Sequence, residues 1–378
     1  MIVGILKEPP GENRVSLLPD QAEVLINKNV QVLVETGAGS NAFSNDELYI
    51  AKGATIGNRT EVLSKSDVLL SIQLLTAADL ESTAPSAVLL GVYQPLFHSS
   101  IIQKWSSQKL TTFSMDMIPR TTRAQSMDVL SSQANIAGYR SVVVAASMFP
   151  RYFPMFMTAA GSITPAKVLI LGAGVAGLQA VATARRLGAV VEVFDTRAAV
   201  KEEVMSLGAK FVEVEGAADA SAAGGYAVEQ TEDYKQKQQK RIAEAIAKAD
   251  IVITTAQIPG RKAPLLITEE MMKAMKPGSL IMDLAASSGG NTPFTKNNES
   301  TIYNQVTIVG NSNLPSGMPV DASKLYGKNV LNFLNLLIDK EGVFGLNWED
   351  DLVKGTCITF NGEVVNDRVK ALLETVLA

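Results

Sequence analysis

The sequence predicts an α/β protein of two doubly wound domains that are joined by long helices. Three observations support this prediction. Short apolar strands alternate with helices over the first third of the chain, a second alternating set begins at Val168, and a long, largely apolar helical pattern follows each set. Alternation at this spacing is typical of a parallel sheet with helices on both faces.

The first domain is predicted from short buried runs and the helical patterns between them. Its strands are Ile2 to Leu6, Val30 to Glu35, Val68 to Ile72, Ala87 to Val92 and Leu110 to Ser114. Its helices are Gln21 to Asn27, Asp46 to Lys52 and Ser99 to Ser107. The pair Asn361-Gly362 separates two further runs, Cys357 to Phe360 and Glu363 to Val365. Asn-Gly between such runs predicts a β-hairpin, which we expect to complete the first domain.

The second domain is predicted from a further set of strands. They are Val168 to Leu171, Val190 to Phe194, Phe211 to Val214, Ile251 to Thr254, Ser279 to Asp283 and Thr307 to Val309. The bridging helices are Met127 to Met148 and Asp321 to Asp339. The second of them is expected to carry the chain back to the first domain. The predicted boundaries are 1–126 plus 340–378 for the first domain, 127–148 and 321–339 for the bridging helices, and 149–320 for the second domain.

A glycine-rich turn follows the first strand of the second domain. Gly172, Gly174 and Gly177 have the spacing G-x-G-x-x-G at the point where a helix must begin. In a Rossmann-like domain these glycines allow a tight turn, close approach of a pyrophosphate, and close packing of helix on strand. The phosphates would lie at the helix N-terminus. The alternative, that the glycines serve packing alone, is disfavoured because strand, helix, second strand and a terminal acid are all in place.

The terminal acid is Asp195, which ends the second strand of this unit. It lies 18 positions after Gly177, near the spacing of about 20 expected for the acid that accepts from a ribose 2′-hydroxyl. Its carboxylate would repel a 2′-phosphate, so the pattern favours NAD over NADP. Arg197, two residues further on, weakens this preference.

Composition excludes several classes of protein. A formal net charge of −4 and an isoelectric point near 5.4 leave no basic surface for nucleic acid. The single cysteine, Cys357, excludes a disulfide framework and a thiolate metal cluster, and we expect no metal site. The sequence has neither a signal-peptide pattern nor an apolar run long enough to span a bilayer directly. We therefore expect a cytoplasmic protein whose only link to a membrane is through a partner.

Polar residues crowd the start of the first bridging helix. In the segment from Ile118 to Arg140 they are Arg120, Arg123, Gln125, Asp128, Ser131 and Ser132. One interpretation is a functional loop. The other is an ordinary solvated helix start with Ser126 as N-cap and Asp128 complementing the helix dipole. Residue types alone do not decide between them.

Two other stretches have open interpretations. Residues from about 213 to 232 are rich in Ala, Gly and acidic side chains without an apolar period, which predicts either a mobile lid over bound nucleotide or a disordered insertion. Near the N-terminus, Arg14 lies in a Pro- and Gly-rich turn and is able to clamp a carboxylate. A solvated turn with surface charges is the interpretation that residue types favour there.

The chain resembles the alanine dehydrogenase and NAD(P) transhydrogenase superfamily over essentially its whole length. The N-terminal pattern KExxGExRVxLxP and the order of elements carry this resemblance. The stretch RTTRAQSMDVLSSQANIAGYR resembles the signature loop of the transhydrogenase NAD(H)-binding component. That loop is named for an Arg, a Gln and an Asp, which here match Arg120, Gln125 and Asp128. AGGYA at 223–227, TTAQIPG at 254–260 and DLAASSGGN at 283–291 are also similar to that component.

The resemblance implies a set of site residues. Arg120, Gln125 and Asp128 would carry the catalytic role, with Gln125 reaching toward the nucleotide on a partner. The implied nucleotide contacts are Arg120, Asp128, Ser131, Gly172, Gly174, Val175, Gly177, Asp195, Thr196, Arg197, Gly225, Tyr226, Ala256 and Gln257.

The function that the resemblance implies is that of the NAD(H)-binding subunit of a proton-translocating NAD(P) transhydrogenase. Such a subunit transfers a hydride from NADH to NADP⁺ bound on a partner component. The implied partners are NADP(H)-binding and membrane-spanning subunits and a second copy of the chain in a homodimer. The protein would then lie in the cytoplasm, peripheral to the inner membrane.

Two other functions remain as alternatives. One is an alanine dehydrogenase-like amino-acid dehydrogenase, which resembles this chain but carries a lysine, a histidine and an aspartate where this sequence has Gln73, Pro95 and Ser287. Oxidation of an amino acid needs a group that takes a proton, whereas hydride transfer between two nicotinamides does not. The other alternative is a nucleotide-sensing protein without turnover, which would not need the loop of Arg120, Gln125 and Asp128.

Overall fold

The structure, a computed structural model, describes residues 1–214, 231–258 and 260–377, without the side chains of 375–377. It contains two compact units, Met1–Gln133 with Pro315–Ala378, and Ala134–Leu314. Each unit is an α/β assembly around its own sheet, and each is described by itself below.

The helices and strands follow the predicted alternation. The first unit begins with β1 (Ile2–Ile5), α1 (Pro19–Ile26), β2 (Gln31–Glu35), α2 (Asp46–Ala51), β3 (Thr55–Gly57), α3 (Arg59–Lys65), β4 (Val68–Leu70), α4 (Ala77–Ser82), β5 (Val88–Gly91), α5 (Ser99–Ser107) and β6 (Thr111–Ser114). Then come α6 (Val129–Met148), β7 (Phe156–Thr158), β8 (Gly161–Ile163), β9 (Lys167–Leu171), α7 (Val175–Arg186), β10 (Val190–Phe194), α8 (Lys201–Ser206), β11 (Lys210–Phe211), α9 (Glu232–Ile246), β12 (Ile251–Thr254), α10 (Glu269–Lys273), β13 (Leu280–Asp283), β14 (Glu299–Tyr303) and β15 (Val306–Gly310). The chain ends with α11 (Pro319–Leu337), α12 (Asp351–Thr356), β16 (Cys357–Phe360), β17 (Glu363–Val364) and α13 (Asp367–Leu377).

The first unit contains a sheet of order β17-β16-β6-β5-β4-β1-β2-β3. Its first six strands in the chain are parallel and take the order 3-2-1-4-5-6 of a doubly wound fold. β16 joins the edge antiparallel to β6. Val68 and Leu70 lie in one apolar cluster and Leu69 in another, so β4 is buried on both faces, as strands of parallel sheets are.

The second unit repeats this arrangement in the order β11-β10-β9-β12-β13-β15-β14. Its parallel strands again have the order 3-2-1-4-5-6, and β14 pairs antiparallel with β15 at the edge. Successive strands are added on one side of β9 up to β11 and on its other side from β12 onward, so the strand order reverses between β9 and β12. Ligands of doubly wound proteins bind at the carboxyl ends of the strands beside such a switch point. The predicted fold class is therefore confirmed for both units.

The structure also differs from the predicted elements in several places. The sequence analysis missed β3, α3, α4, β14 and the hairpin of β7 and β8, which are short or partly exposed. α6 begins two residues later than predicted, and α11 begins two residues earlier because Pro319 suits the first turn of a helix. The division into units falls within α6, and α11 lies wholly in the first unit. The sequence analysis had set both helices apart as bridging helices.

The Asn361-Gly362 hairpin is confirmed. Both residues have positive φ, 50° and 85°, which the tight turn between antiparallel β16 and β17 requires.

Two properties of the described ranges bear on function. Every helix there is too short or too polar to cross a lipid bilayer. No group of three or more His, Cys, Asp and Glu side chains in those ranges is placed to hold a metal ion.

Candidate nucleotide-binding site

The glycine turn between β9 and α7 lies at the switch point of the second sheet. Gly172 has a φ of +108°, a conformation that residues with a Cβ rarely adopt. A Cβ on Gly177 would overlap the carbonyl oxygen of Gly172, so only glycine lets α7 pack this closely. A Cβ on Gly174 would meet no described atom within 4 Å. The first and third glycines are therefore explained by the protein alone, and the second is not.

The N-terminus of α7 is open. Gly174 is its N-cap residue, and no described side chain accepts a hydrogen bond there. The first backbone N–H groups of a helix lack partners within the helix and carry its positive dipole end. Together with the free space beside Gly174, this arrangement fits the pyrophosphate of a dinucleotide. Val175 begins the helix and is partly exposed on the same turn.

Asp195 follows β10 and lies beside this turn. One carboxylate oxygen accepts from the backbone N–H of Ala173 at 2.7 Å and from Nη2 of Arg197 at 2.8 Å. The other accepts from the backbone N–H and from Nε of Arg197 at 2.8 Å and 2.9 Å. The side chain of Asp195 is only 6 % exposed. Thr196, between the two, is half-buried. The acid predicted to contact ribose is thus fixed to the turn predicted to contact phosphate.

The loop after β12 forms the other side of the switch point. Its Thr255 donates through Oγ1 to the carbonyl of Gly172 at 3.2 Å. Gln257 is exposed and donates to the carbonyl of Leu284 at 2.9 Å. The carbonyl of Ala256 accepts from Nδ2 of Asn291 at 2.9 Å. Ala256 and Gln257 therefore border the carboxyl edge of β12.

Sequence reasoning missed three residues that shape this loop. Asn291 donates to Ala256 and also to the carbonyl of Pro264 at 2.8 Å, so one amide closes the loop. Asp283, fully buried at the end of β13, accepts from the N–H of Asn291 at 2.6 Å. Thr255 links the loop to the glycine turn. The sequence shows that Asp283 ends an apolar strand, which could have marked it as a structural residue. It does not show that Asp283 pairs with Asn291, eight residues away.

Gly225 and Tyr226 lie outside the described residues, as does most of the predicted lid at 213–232. Their assignment as nucleotide contacts is unchanged by the structure.

The signature loop belongs to the first unit. Residues Thr122–Met127 form a 3₁₀ helix that leads into α6. Arg120 and Gln125 are exposed. The amide of Gln125 hydrogen-bonds to no described residue, while buried Ala124 and Met127 hold the turn to the core.

The start of α6 is capped by Asp128. One carboxylate oxygen accepts from the N–H of Ser131 at 2.9 Å, and the other accepts from its Oγ at 2.6 Å. Ser126, the expected N-cap, contributes its carbonyl instead, which accepts from Nδ2 of Asn329 and of Asn332 at 2.8 Å and 2.9 Å. The interpretation that made Ser126 the N-cap was therefore wrong on this point, because α6 begins at Val129 and the preceding residue, Asp128, accepts the hydrogen bonds of its first turn.

Arg14 and Glu12 are buried, so the interpretation that residue types favoured, a solvated turn with surface charges, was wrong for these two side chains, although residues 9–11 of the turn are exposed. Arg14 donates from Nε and Nη2 to the carboxylate of Glu12 at 2.8 Å and 2.6 Å. Nη1 donates to Oε1 of Gln133 at 2.8 Å. Gln133 lies 119 positions away, which is why the sequence did not show this burial.

Glu8 lies in the same buried group. Its carboxylate accepts from the backbone N–H groups of Ile72 and Gln73 at 2.6 Å and 2.9 Å. Burial raises the pKa of Glu8 to about 7, although these two hydrogen bonds act in the opposite direction. Glu8 therefore ties the N-terminal turn to the residues that follow the carboxyl end of β4.

Two family models match the chain. The model described as "Alanine dehydrogenase/PNT, N-terminal domain" matches residues 4–137. The model described as "Alanine dehydrogenase/PNT, C-terminal domain" matches residues 141–367. The two matches meet within α6.

Known proteins are similar to the chain over nearly its full length. The first portion of the NAD(P) transhydrogenase subunit alpha of Rhodospirillum rubrum is 46% identical over 377 residues, which cover 97% of this chain and 98% of that protein. The crystal structure of transhydrogenase from Sinorhizobium meliloti has a TM-score of 0.88 at 44% identity, covering 97% of this chain and 100% of that one. An L-alanine dehydrogenase structure has a TM-score of 0.82 at 21% identity and covers 100% of both chains. This last likeness concerns the fold alone.

Proposed function

We propose, from the premise that this chain belongs to the alanine dehydrogenase/PNT family, that it is the NAD(H)-binding subunit of a proton-translocating NAD(P) transhydrogenase. In this proposal it transfers a hydride from NADH to NADP⁺ held by a partner component. One observation carries the nucleotide assignment: among the described residues, no side chain caps the N-terminus of α7 and no atom fills the space beside Gly174, next to the fixed carboxylate of Asp195. The full-length similarity to a transhydrogenase subunit alpha supports the rest.

The second unit would hold NAD(H) at the switch point of its sheet. Backbone N–H groups at the start of α7 bind the pyrophosphate, and Asp195 accepts from a ribose hydroxyl. We assign further contacts to residues that border this turn or follow from the family pattern, namely Gly172, Gly174, Val175, Gly177, Thr196, Arg197, Gly225, Tyr226, Ala256 and Gln257. Bound NADH supplies the hydride.

The protein's role in the reaction is positioning. Transfer between two nicotinamides moves no proton, so no general base is required, and orientation of the reacting atoms at about 3 to 3.5 Å decides the rate. We propose that Arg120, Gln125 and Asp128 provide this orientation, with Arg120, Asp128 and Ser131 contacting NAD(H). Asp128 fixes the start of α6 through Ser131, and the exposed amide of Gln125 reaches toward the partner's nucleotide.

The proposal includes partner subunits. The relatives are named as portions of a subunit alpha, and we propose that this chain likewise acts with NADP(H)-binding and membrane-spanning subunits. The partners would hold NADP(H) and attach the chain to the cytoplasmic side of the inner membrane.

We further propose that the chain forms a homodimer through the hairpin of β7 and β8. These strands pair only with each other among the described strands, and an isolated hairpin is marginally stable in water. Met155 and Met157 are 65 % and 74 % exposed. Phe156 stacks on the exposed ring of Tyr152. Apolar groups concentrated in this way are typical of an interface, and a second copy of the chain supplies the matching surface.

An amino-acid dehydrogenase is the second candidate, and the structure offers it little support. In the first unit the carboxylate of Glu12 occupies the side of Arg14 formed by Nε and Nη2. Gln73, the residue at the lysine position, donates to that same carboxylate at 3.3 Å. An amide in this position cannot take a proton from an amino group. A sensor without turnover is less favoured because it has no need of the exposed signature loop.

One experiment separates these functions. The purified chain is mixed with a transhydrogenase NADP(H)-binding component, and reduction of an NADP analogue by NADH is followed. Activity that appears only in the mixture supports the proposal. Reduction of NAD by alanine with the chain alone would favour the dehydrogenase, and nucleotide binding without either activity would favour the sensor.

A further inference from the structure

The 3₁₀ turn of the signature loop is attached to α12 by Arg123. Nη1 of Arg123 donates to one carboxylate oxygen of Asp350 at 2.8 Å, and Nη2 donates to the other. Nη2 also donates to Oδ1 of Asp351 at 2.5 Å. The pairing with Asp350 is bidentate, which fixes the direction of the guanidinium plane as well as its position.

The side chain of Asp350 is itself held in place by burial and by the backbone of α12. Its side chain is only 12 % exposed, and it accepts from the backbone N–H of Leu352 at 2.9 Å as the N-cap of α12. Its hydrogen bond with Arg123 holds the pKa of Asp350 below its usual range. Exposed ion pairs between two mobile side chains contribute little, but here one partner is already fixed by its helix.

The segment that leads from Pro119 into the 3₁₀ turn contacts α12 at a second point. Gly355 lies against Pro119, and a Cβ at Gly355 would overlap the proline ring. The segment that starts at Pro119 therefore lies on α12 from its first residue, and Arg123 extends this contact into the turn.

The far end of the turn is held by a different helix. The carbonyl of Ser126 accepts from the side-chain amides of Asn329 and Asn332 on α11. Gln125 lies between the two attachments, two residues after Arg123 and one before Ser126. Its own amide has no hydrogen bond within the described residues, so its direction depends on the backbone that the attachments fix.

We propose that Arg123 is a positioning residue, which through Asp350 fixes the backbone of the 3₁₀ turn and so the direction in which Gln125 is presented. The inference rests on the proposed function for what Gln125 does. It assigns to α12 the role of a platform for the signature loop.

Two variants test the contact, and of the two only Arg123→Met also removes the hydrogen bond to Asp351. Arg123→Met keeps the aliphatic stem and removes the charge. Asp350→Asn removes the charge but keeps the cap of α12, because asparagine is as good an N-cap as aspartate. Each is expected to lower the rate of hydride transfer in the reconstituted mixture by about tenfold, since small misplacements of a reacting group have large effects on rate. The dissociation constant for NADH should stay within about twofold, because the phosphates are held at the N-terminus of α7 rather than by this turn.

The double variant distinguishes a pairwise contact from two independent defects. If Arg123 acts through Asp350, the double variant is about as slow as either single variant, because residues in contact are not additive. Arg123→Lys, which can form one of the two hydrogen bonds, should recover part of the rate. Amide hydrogen exchange in the peptide 119–128 should be faster in both single variants. Thermal unfolding confirms that each variant folds.

A matched control is Arg241→Met on α9. Arg241 pairs with Glu244 at 2.9 Å, and both side chains are about as exposed as Arg123, so its loss should change neither transfer nor exchange at 119–128. Transfer at the parental rate in Arg123→Met, or a double variant whose loss is the product of the single losses, would overturn the inference. If the parental chain does not transfer hydride, the proposed function fails. Unchanged exchange at 119–128 would separately disprove that Arg123 fixes the backbone of the 3₁₀ turn.

Discussion

Asp195 and Arg197 form a bidentate ion pair at the carboxyl end of β10, beside the glycine turn. The two carboxylate oxygens of Asp195 accept three hydrogen bonds from Arg197 and one from the N–H of Ala173. The acid is thereby fixed in place beside the turn. While this pairing lasts, the guanidinium of Arg197 cannot turn freely toward a ligand phosphate.

The first prediction is that the chain binds NADH at least several-fold more tightly than NADPH. A 2′-phosphate would lie close to the carboxylate of Asp195, and like charges at short range in a partly buried site are unfavourable. Asp195→Asn should reduce the difference between the two nucleotides. Titrations by nicotinamide fluorescence measure both dissociation constants.

Arg197→Met is the control for this prediction. If Asp195 sets the preference, removing the cation beside it should increase the difference between NADH and NADPH. Equal dissociation constants for the two nucleotides in the parental chain would remove Asp195 from this role.

The second prediction concerns the free space beside Gly174. Gly174→Ala should weaken NADH binding by at least about tenfold, because the added methyl group stands where phosphates approach the helix N-terminus. The fold should tolerate it, since φ at Gly174 is −77° and no described atom lies within 4 Å of the new Cβ. Stability should be unchanged or up to about 1 kcal/mol higher, as for other unstrained Gly→Ala changes. Calorimetry of binding and of unfolding measures both effects.

Gly345→Ala provides the matched control, because a Cβ there also meets no described atom within 4 Å and the residue lies in the first unit. It should leave NADH binding unchanged. Normal NADH binding by Gly174→Ala would show that the nucleotide does not use this turn.

The third prediction is that Gln125→Asn nearly abolishes hydride transfer with the partner component while NADH binding stays close to normal. The change keeps the amide but withdraws it by roughly an ångström, a displacement that can reduce a rate on the order of 100-fold. Stopped-flow transfer and NADH titration on the same preparation separate the two quantities. Transfer at the parental rate, or loss of binding in step with transfer, would make the loop a structural or a binding element only.

The fourth prediction follows from buried Glu8. Burial raises the pKa of its carboxyl to about 7 in the folded protein, from 4.5. The folded protein therefore keeps a proton that the unfolded chain has released, and the stability this contributes is full below about pH 4.5 and lost as pH rises through 7. Glu8→Gln cannot titrate. Its free energy of unfolding, relative to the parental chain, should rise by on the order of 2–3 kcal/mol between about pH 4.5 and pH 8.

Urea unfolding across this pH range measures the difference between the two proteins. The amide also loses one acceptor for Ile72 or Gln73, but that loss does not depend on pH and shifts all values together. A difference that stays constant with pH would mean that folding leaves the pKa of Glu8 at its ordinary value.

The fold was predictable where local pattern and global topology agree. The doubly wound class of the second unit follows from buried strands that alternate with helices. The glycine turn follows from its spacing together with the strand, the helix and the terminal acid around it. The Asn361-Gly362 turn was predictable because its two positive φ values suit few other residues. β7 and β8 were not, because an exposed hairpin lacks the apolar alternation that marks a buried strand.

Side-chain pairings between distant segments could not be predicted from the sequence. Arg14 looked solvated because its partner Gln133 is contributed by the far end of the first unit's N-terminal segment. Asn291 closes the loop after β12 by two carbonyls that lie 35 and 27 positions before it. Such contacts depend on the sheet order, which brings these distant residues together.

The most direct test of the proposed function uses NADH that carries deuterium on the transferred position of nicotinamide C4. The chain is mixed with a transhydrogenase NADP(H)-binding component and an NADP analogue in ordinary water, and the reduced analogue is examined by mass spectrometry. The account predicts that the deuterium appears in the analogue only when both proteins are present, because a hydride that passes directly between two rings never exchanges with solvent. Absence of the label from the product, or equal reduction without this chain, would contradict it.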